Sequence, residues 1–216
     1  MTKFTHTIAV IDDDEISRNS IEAIVLPFDV KVIHFDSAES FYQWNQFDLI
    51  DGLVTDIRLK GDNGVTMVEE IRERGFHLPF VVISAYCLTR LVVKAMKLGA
   101  VDVLEKPLDE QLLWDSVSAM IRESDRVKKE KAIVSKIEQD FEGLDDIDRS
   151  IVHGIVKGMI NKEIAAHLSL STRSIEIRKN NILQKMTAGS MSEFIYFLSK
   201  TNLLEDFYCS EFKDSL

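Results

Sequence analysis

Five polar side chains stand where four apolar runs end in the first half of the chain. They are two carboxylates after the first run, one that ends the second, a hydroxyl that ends the third and an ammonium after the fourth: Asp12, Asp13, Asp56, Ser84 and Lys106. Because the carboxyl ends of parallel strands converge on one crevice of an open sheet, we expect these groups to lie together. Three carboxylates, a hydroxyl and an ammonium are the groups that phosphoryl transfer needs.

Each group has a role in that chemistry. Mg²⁺ prefers oxygen ligands and keeps several waters, so two or three clustered carboxylates suit it. Asp56 would act as a carboxylate nucleophile and become an acyl phosphate. Lys106 would bind a phosphoryl oxygen as a point charge, and Ser84 would donate a hydrogen bond to another. Acidic strand ends can also be solvated turns, but five groups in register favour the phosphoryl site.

Alternating patterns between residues 7 and 123 predict the elements that position these groups. Runs rich in β-branched residues alternate with amphipathic stretches, so we predict an α/β fold with a doubly wound, five-stranded parallel sheet. The expected strand order is 2-1-3-4-5. The predicted helices cover residues 16–26, 37–44, 64–72, 88–98 and 109–121.

Four motifs in this region resemble the receiver domain of two-component response regulators. They are Ile11 to Asp14, Val54 to Leu59, Val82 to Ala85 and Glu105 to Pro107. The resemblance covers residues 5–123 and implies a flavodoxin-like fold. It also implies that a sensor histidine kinase supplies the phosphoryl group and that the Lys106–Pro107 bond is cis, which X-Pro bonds adopt cheaply.

Carried over residue by residue, the resemblance implies a role for each polar group. Asp56 is the expected phosphoacceptor and a Mg²⁺ ligand. Asp13 is expected to bind Mg²⁺ directly, Asp12 largely through water, and Arg58 through its backbone carbonyl. Ser84 is the expected switch hydroxyl, and Lys106 the phosphate-binding lysine.

The chain departs from the receiver pattern at the residue that usually relays the signal. Val103 stands three residues before Lys106, where the family usually has an aromatic switch residue. The usual aromatic relay is therefore missing, although Ser84 can still draw its loop towards a phosphate.

Length and composition limit the classes of protein that fit. With 216 residues, 45% of them hydrophobic, the chain can form one full domain and a smaller one. No apolar run approaches the roughly 18 residues of a membrane span, and the N-terminus lacks a signal-peptide pattern. The two cysteines suggest neither a disulfide framework nor a metal site, so we expect a cytoplasmic protein without membrane contact.

The formal charge of −10 is unevenly distributed. Residues 1–123 carry 21 acidic and 12 basic side chains, whereas residues 124–142 carry five of each. Residues 143–200 carry six acidic and eight basic side chains, and residues 201–216 carry four acidic and one basic. The only net positive segment is therefore the one expected to bind nucleic acid.

A helical linker is predicted between two domains. Residues 108–142 contain neither glycine nor proline, and four apolar residues follow a heptad-like spacing: Val117, Met120, Val127 and Val134. We predict that the last receiver helix continues through a linker at residues 124–142. The apolar stripe could pair with a second copy as a short coiled coil, or the linker could be a solvated single helix with charge pairs. The sequence leaves both open.

From residue 143 to 203 the pattern predicts only helices. They cover residues 145–158, 161–168, 172–186 and 191–203, and Ser171 is placed to cap the third. Two short helices joined by a tight turn match the helix-turn-helix unit, whose second helix enters the major groove of DNA. An acidic tail, residues 204–216, is expected to follow.

Helical periodicity separates two faces of the third of these helices. Ile175, Ile182 and Met186 lie on one side and should face the core. The opposite side carries the candidate base-reading residues: Arg173, Glu176, Ile177, Asn180 and Gln184. Isoleucine can meet a thymine methyl, asparagine and glutamine can read adenine, and arginine can read guanine or bind a phosphate. The candidate phosphate-binding residues are Lys162, Arg178, Lys179 and Lys185.

Three motifs in this region resemble the output domain of LuxR-type regulators. They are Asn161 to Leu168, Ser174 to Ile177 and Ile182 to Met186. Together with the receiver motifs they resemble the FixJ/NarL group, which implies double-stranded DNA as a partner. Phosphorylation is expected to make the receiver surface dimerise or release the output helices, and a homodimer should contribute much of the affinity of an acidic protein for DNA.

The expected function is therefore a phosphorylation-dependent, DNA-binding transcription regulator, not an independent enzyme. The alternative is a protein-interaction or phosphate-sink module whose helical domain does not bind DNA. Glu176 on the reading face and the small positive charge of residues 143–200 favour that alternative.

Overall fold

The computed structural model describes residues 4–60, 63–85, 89–201 and 203. The predicted acidic tail, 204–216, lies outside these residues. The chain divides into two compact units, Met1–Val127 and Lys128–Leu216. The second unit therefore begins inside the segment that the sequence assigned to a linker.

The first unit is built on a five-stranded sheet. Its strands are β1 (His6–Ile11), β2 (Val30–Phe35), β3 (Gly52–Asp56), β4 (Phe80–Ser84) and β5 (Asp102–Glu105). All neighbours are parallel, in the order β2-β1-β3-β4-β5, so the predicted doubly wound sheet is confirmed. The helices around it are α1 (Glu15–Val25), α2 (Ala38–Trp44), α3 (Gly64–Glu73), α4 (Thr89–Lys97) and α5 (Glu110–Glu142).

Short polar side chains start the first three helices close to the strand ends. Asp14 accepts a hydrogen bond from the Ile16 N–H, Ser37 one from the Ser40 N–H, and Asn63 one from the Val65 N–H. Each satisfies an N–H that the first helical turn leaves without a partner. Capping by Asp14 begins α1 directly after Asp12 and Asp13, which holds these two carboxylates at the carboxyl edge of the sheet.

Apolar layers cover both faces of the sheet. On one face Ile11, Leu53 and Val82 pack with α2, α3 and α4. On the other face Val10, Val54 and Ile83 pack with α1 and the first part of α5. That part of α5 contributes the fully buried Val117 and Met120. These two residues of the predicted apolar stripe belong to the core, so they are not available to pair with a second chain.

The second unit contains the last part of α5 and four shorter helices. They are α6 (Asp146–Val156), α7 (Asn161–His167), α8 (Thr172–Lys185) and α9 (Met191–Leu198). Ile137 and Phe141 of α5 are buried in one core with Ile164, Phe194 and Leu198. The last turns of the predicted linker are therefore part of the second unit.

Local geometry fixes the turn between α7 and α8. Ser169 adopts a left-handed conformation with φ 53°, and Ser171 accepts a hydrogen bond from the Ser174 N–H, which confirms the predicted cap. Ile175, Ile182 and Met186 are buried, so the predicted core face of α8 is also confirmed.

Candidate phosphorylation site and nucleic-acid interface

The strand register brings the predicted phosphoryl-transfer residues to one edge of the first unit. Ile11 is aligned with Thr55, Asp56 with Ile83, and Ser84 with Glu105. Asp12 and Lys106 directly follow two of these strands, and the Lys106–Pro107 bond is cis as the resemblance implied.

Lys106 joins two carboxylates in this crevice. Its Nζ donates hydrogen bonds to Asp12 Oδ2 at 2.8 Å and to Asp56 Oδ2 at 2.6 Å. Asp12 also accepts hydrogen bonds from the Ser17 hydroxyl at 2.6 Å and the Asp14 N–H at 2.9 Å. The second oxygen of Asp56 accepts the Arg58 N–H at 2.8 Å. Both carboxylates are therefore held in place before any phosphoryl group arrives.

The charge of Lys106 is stabilised by these contacts. Burial of the ammonium lowers its pKa, but the hydrogen bonds to Asp12 and Asp56 outweigh burial and raise the pKa above its ordinary value. Lys106 is thus a cation at neutral pH.

Close packing behind Asp56 depends on Gly64. A Cβ at this position would lie 2.1 Å from the backbone oxygen of Asp56 and 2.4 Å from the Thr55 hydroxyl oxygen. Real Cβ atoms do not approach so closely, so only glycine allows the start of α3 to pack against the end of β3.

Two other predicted residues lie at or just after the ends of β4 and β1, at the same edge of the sheet as Asp56. Ser84 is buried at the end of β4, and Asp13 is half-buried with Lys60 Nζ at 3.8 Å from its Oδ2. Val103 is half-buried and packs against the core, so an aliphatic side chain fills the position of the usual aromatic residue.

The donor set fits a hard divalent cation. Asp12, Asp13 and Asp56 carry three negative charges, against the Lys106 ammonium that contacts two of them and the exposed Lys60 ammonium that lies 3.8 Å from the third. All of the offered ligands are oxygens, which Mg²⁺ prefers. The remaining negative charge is what a bound cation would neutralise.

Two helix residues that sequence reasoning missed also hold Asp12. The Ser17 hydroxyl binds its carboxylate, and the Arg18 guanidinium donates to its backbone carbonyl. Both residues lie in the first turn of α1, which begins directly after the end of β1. This closeness in sequence is the signal that could have identified them.

The structure also forms a polar cluster at the opposite edge of the sheet. Ligand atoms of His6, Asp51 and Asp125 lie within 4.8 Å of one another. Asp51 accepts the Thr7 N–H at 2.7 Å, and His6 Nε2 lies 3.5 Å from Asp125 Oδ1. The three residues are far apart in the sequence, so no motif predicted this cluster. Asp51 has a structural role in it, because its carboxylate accepts the Thr7 N–H.

In the second unit, the predicted base-reading residues lie on the open face of α8. All five are exposed: Arg173, Glu176, Ile177, Asn180 and Gln184. Lys162, near the start of α7, is exposed as well. This arrangement leaves one side of α8 for a partner while the other side closes the core.

The remaining predicted phosphate-binding residues have partners within the second unit. Arg178 Nη1 binds Asp148 Oδ1 at 2.6 Å and Asp145 Oδ2 at 3.0 Å. Lys185 Nζ binds Asp148 Oδ2 at 3.2 Å, and Lys179 Nζ donates to Asn161 Oδ1 at 3.0 Å.

The shifts in pKa agree with this pairing. The hydrogen bonds to Asp145 and Asp148 hold the pKa of Arg178 above its ordinary value. The pKa of Asp145 is lowered, first by the hydrogen bond from the Asp148 backbone N–H and then by the one from Arg178.

Comparison with protein families agrees with both units. Residues 8–118 match the response regulator receiver domain, and residues 146–198 match the bacterial regulatory proteins of the luxR family. The chain therefore belongs to the response regulators that combine a receiver domain with a LuxR-family regulatory domain.

Individual relatives match nearly the whole chain. The transcriptional regulatory protein FixJ of Bradyrhizobium diazoefficiens is 31% identical over 92% of this chain and 97% of its own. The response regulator protein TodT of Pseudomonas putida is 25% identical over 90% of this chain and 86% of its own.

Solved structures resemble the whole chain as well. The response regulator StyR has a TM-score of 0.68 at 26% identity, over 90% of this chain and 98% of that one. Full-length FixJ from B. japonicum has a TM-score of 0.54 at 29% identity, over 91% and 97%. Within the described ranges, no helix has both the length and the apolar character that a membrane span requires.

Proposed function

We propose that the chain is a DNA-binding transcription regulator of a two-component system and that phosphoryl transfer to Asp56 controls it. The observation that carries the proposal is the pair of contacts from Lys106 to Asp12 and Asp56. These contacts hold the carboxylates of Asp56 and Asp12 and the ammonium of Lys106 at one point, which supports Asp56 as the nucleophile and Lys106 as the phosphate-binding cation.

The donor is a phosphohistidine of a sensor histidine kinase. A carboxylate oxygen of Asp56 attacks the phosphorus, and the new O–P bond forms as the P–N bond breaks. The leaving imidazole nitrogen keeps the electron pair and takes up a proton. Mg²⁺, held by Asp12, Asp13, Asp56 and the Arg58 carbonyl, would supply positive charge for the phosphoryl oxygens.

Transfer changes the partner of Lys106. Before transfer, Oδ2 of Asp56 accepts a hydrogen bond from Lys106. After transfer, the phosphoryl oxygens compete for this hydrogen bond, because they accept charge-assisted hydrogen bonds strongly. The Ser84 hydroxyl can donate to another of these oxygens. Movement of the segments that carry Ser84 and Lys106 is then the local event that changes the receiver surface.

Dimerisation of phosphorylated chains completes the proposal. The segment that carries the exposed face of α8 has a small positive charge, which by itself binds DNA weakly. A homodimer presents two copies of this face to adjacent half-sites in double-stranded DNA. Because the bacterial chromosome lies in the cytoplasm, we place the protein there.

Intact-mass measurement with a small phosphodonor tests the phosphorylation site. The wild type should gain one phosphoryl group in the presence of Mg²⁺, and chelation of Mg²⁺ should prevent the gain. Asp56→Asn should not be modified. Asp36→Asn is the matched control because Asp36 is an exposed carboxylate after β2 at the same sheet edge. Modification of Asp56→Asn at the wild-type rate would contradict the assignment.

A protein-interaction or phosphate-sink module is the second candidate function. It is favoured by Glu176 on the exposed face, because a carboxylate there repels phosphates. Selection from a random pool of duplexes separates the two. A regulator should enrich a sequence and bind it with steep salt dependence, whereas the alternative predicts no enriched sequence.

A further inference from the structure

An ion cluster ties the DNA-facing helix to the first helix of its own unit. The cluster consists of Asp145 and Asp148 at the start of α6 and Arg178 and Lys185 of α8. Asp148 is its centre, because its two carboxylate oxygens bind one cation each. The Asp148 side chain is only 4% exposed, whereas the side chains of Arg178 and Lys185 are 30% and 49% exposed, so the carboxylate is the buried partner of both contacts.

The buried carboxylate makes these contacts different from surface ion pairs. An exposed pair contributes little, but a buried charge that loses its partner is costly. Arg178 and Lys185 are therefore held by a group that cannot easily do without them. Their distance of seven residues is two turns of α8, so Asp148 fixes the rotation of α8 as well as its position.

We propose that Asp148 is a positioning residue for DNA recognition, which orients α8 through Arg178 and Lys185, and that these two cations do not bind DNA phosphates. The inference rests on the proposed DNA binding. Of the cations proposed to contact DNA, it keeps the exposed Lys162 of α7 and Arg173 of α8 as phosphate-binding residues.

Substitution of Asp148 tests the inference through the sign of its effect. Asp148→Asn removes a negative charge, so electrostatics alone predicts tighter DNA binding. A positioning role predicts the opposite: about tenfold weaker binding to a selected duplex, with little change for a random duplex. Asp146→Asn is the matched control, because Asp146 is an exposed carboxylate in the same turn of α6 and should leave the ratio of the two affinities unchanged.

A second set of three variants keeps the test decisive if Asp148→Asn does not fold. Arg173→Gln should reduce the salt slope for a random duplex by about one phosphate contact. Arg178→Gln should leave that slope unchanged but lower the affinity for the selected duplex. Arg178→Lys, which can still bind Asp148, should recover most of that affinity.

The dissociation constant of the full chain is measured in the presence of phosphodonor at several salt concentrations. Two duplexes are compared, one selected by the wild type and one of random sequence. Tighter binding by Asp148→Asn, or a reduced salt slope for Arg178→Gln, would overturn the positioning role while DNA binding stands. Failure of the wild type to select any duplex would overturn the proposed function itself and the inference with it.

Discussion

The two units contain ion clusters of opposite design. In the first unit Lys106 binds two carboxylates, and Asp13 adds a third negative charge, which the exposed Lys60 contacts at 3.8 Å. In the second unit one carboxylate, Asp148, binds two cations, and Asp145 brings the charges into balance. The first cluster has negative charge left over for a divalent cation, whereas the second needs no external ion.

This difference separates a site that exchanges partners from one that is complete. In the proposed transfer Asp56 releases Lys106 as it accepts a phosphoryl group, so its contacts have to be replaceable. Asp148 has no such task, and its contacts join two helices far apart in the chain. Short ion pairs alone therefore do not indicate a reactive site, and the balance of charge within the cluster is the better guide.

The largest expected effect is on the stability of the first unit, where a glycine packs against the backbone of Asp56. Gly64→Ala should lower the unfolding free energy of the first unit by more than about 3 kcal/mol, because its Cβ would meet the Asp56 backbone. Trp44 and Trp114, the only two tryptophans, both lie in this unit, so tryptophan fluorescence follows its unfolding.

Gly154→Ala is the matched change in the second unit. There a Cβ would lie 2.8 Å from Cγ1 of the buried Ile164, a side chain that can shift more readily than the backbone that faces Gly64. Higher helix propensity of alanine offsets part of the strain, so we expect a loss of about 1 to 2 kcal/mol. Equal losses for Gly64→Ala and Gly154→Ala would contradict this difference.

Removal of the Lys106 ammonium should have the next largest effect. Lys106→Met leaves Asp12 and Asp56 without their cation and should destabilise the first unit by about 2 kcal/mol at neutral pH, since the site is only partly shielded. Mg²⁺ should restore more stability to this variant than it adds to the wild type, because the ammonium no longer competes. Melting temperatures with Mg²⁺ and with a chelator measure this, and equal gains would argue against a cation site there.

The smallest expected effect is the pH dependence of the two clusters. The pKa of Lys106 is raised, so its stabilisation is complete below its ordinary value of 10.5 and is lost as the pH rises through the higher value of the folded state. The pKa of Asp145 is lowered, so its stabilisation is present above its ordinary value of 3.8 and is lost as the pH falls through the lower value.

Matched variants make this dependence measurable. The difference in melting temperature between wild type and Lys106→Met should shrink as the pH rises beyond 10.5 and the ammonium of the wild type loses its charge. Asp145→Asn keeps a good helix cap and should cost less than about 1 kcal/mol, a difference that disappears only in acid. The reverse pattern would contradict the assignment of the two clusters.

Much of the first unit could be predicted from its sequence because its signals are local. Strand ends are marked by the change from apolar to polar residues, so the positions of Asp12, Asp56, Ser84 and Lys106 follow from the alternation. Their convergence then follows from the parallel sheet. Contacts from Ser17 and Arg18 needed the orientation of α1 and were not predicted.

In the second unit the decisive contacts are distant in sequence. The core and open faces of α8 follow from helical periodicity, but Arg178 meets Asp148 across 30 positions. No spacing within α8 shows which of its cations will turn towards α6. Similarly, the apolar spacing of Ile137 and Phe141 fits a coiled coil and a domain core equally well, and only the packing of the helices shows the second.

Phosphoryl transfer to Asp56 is proposed to increase DNA binding by the second unit. The most direct measurement is the affinity of the full chain for a selected duplex, with and without phosphodonor and Mg²⁺, for the wild type and Asp56→Asn. We predict that the wild type binds at least about tenfold more tightly after treatment, since a second half-site is engaged, and that Asp56→Asn does not respond. An equal response from both proteins, or none from the wild type once phosphorylation is verified by mass, would contradict the account.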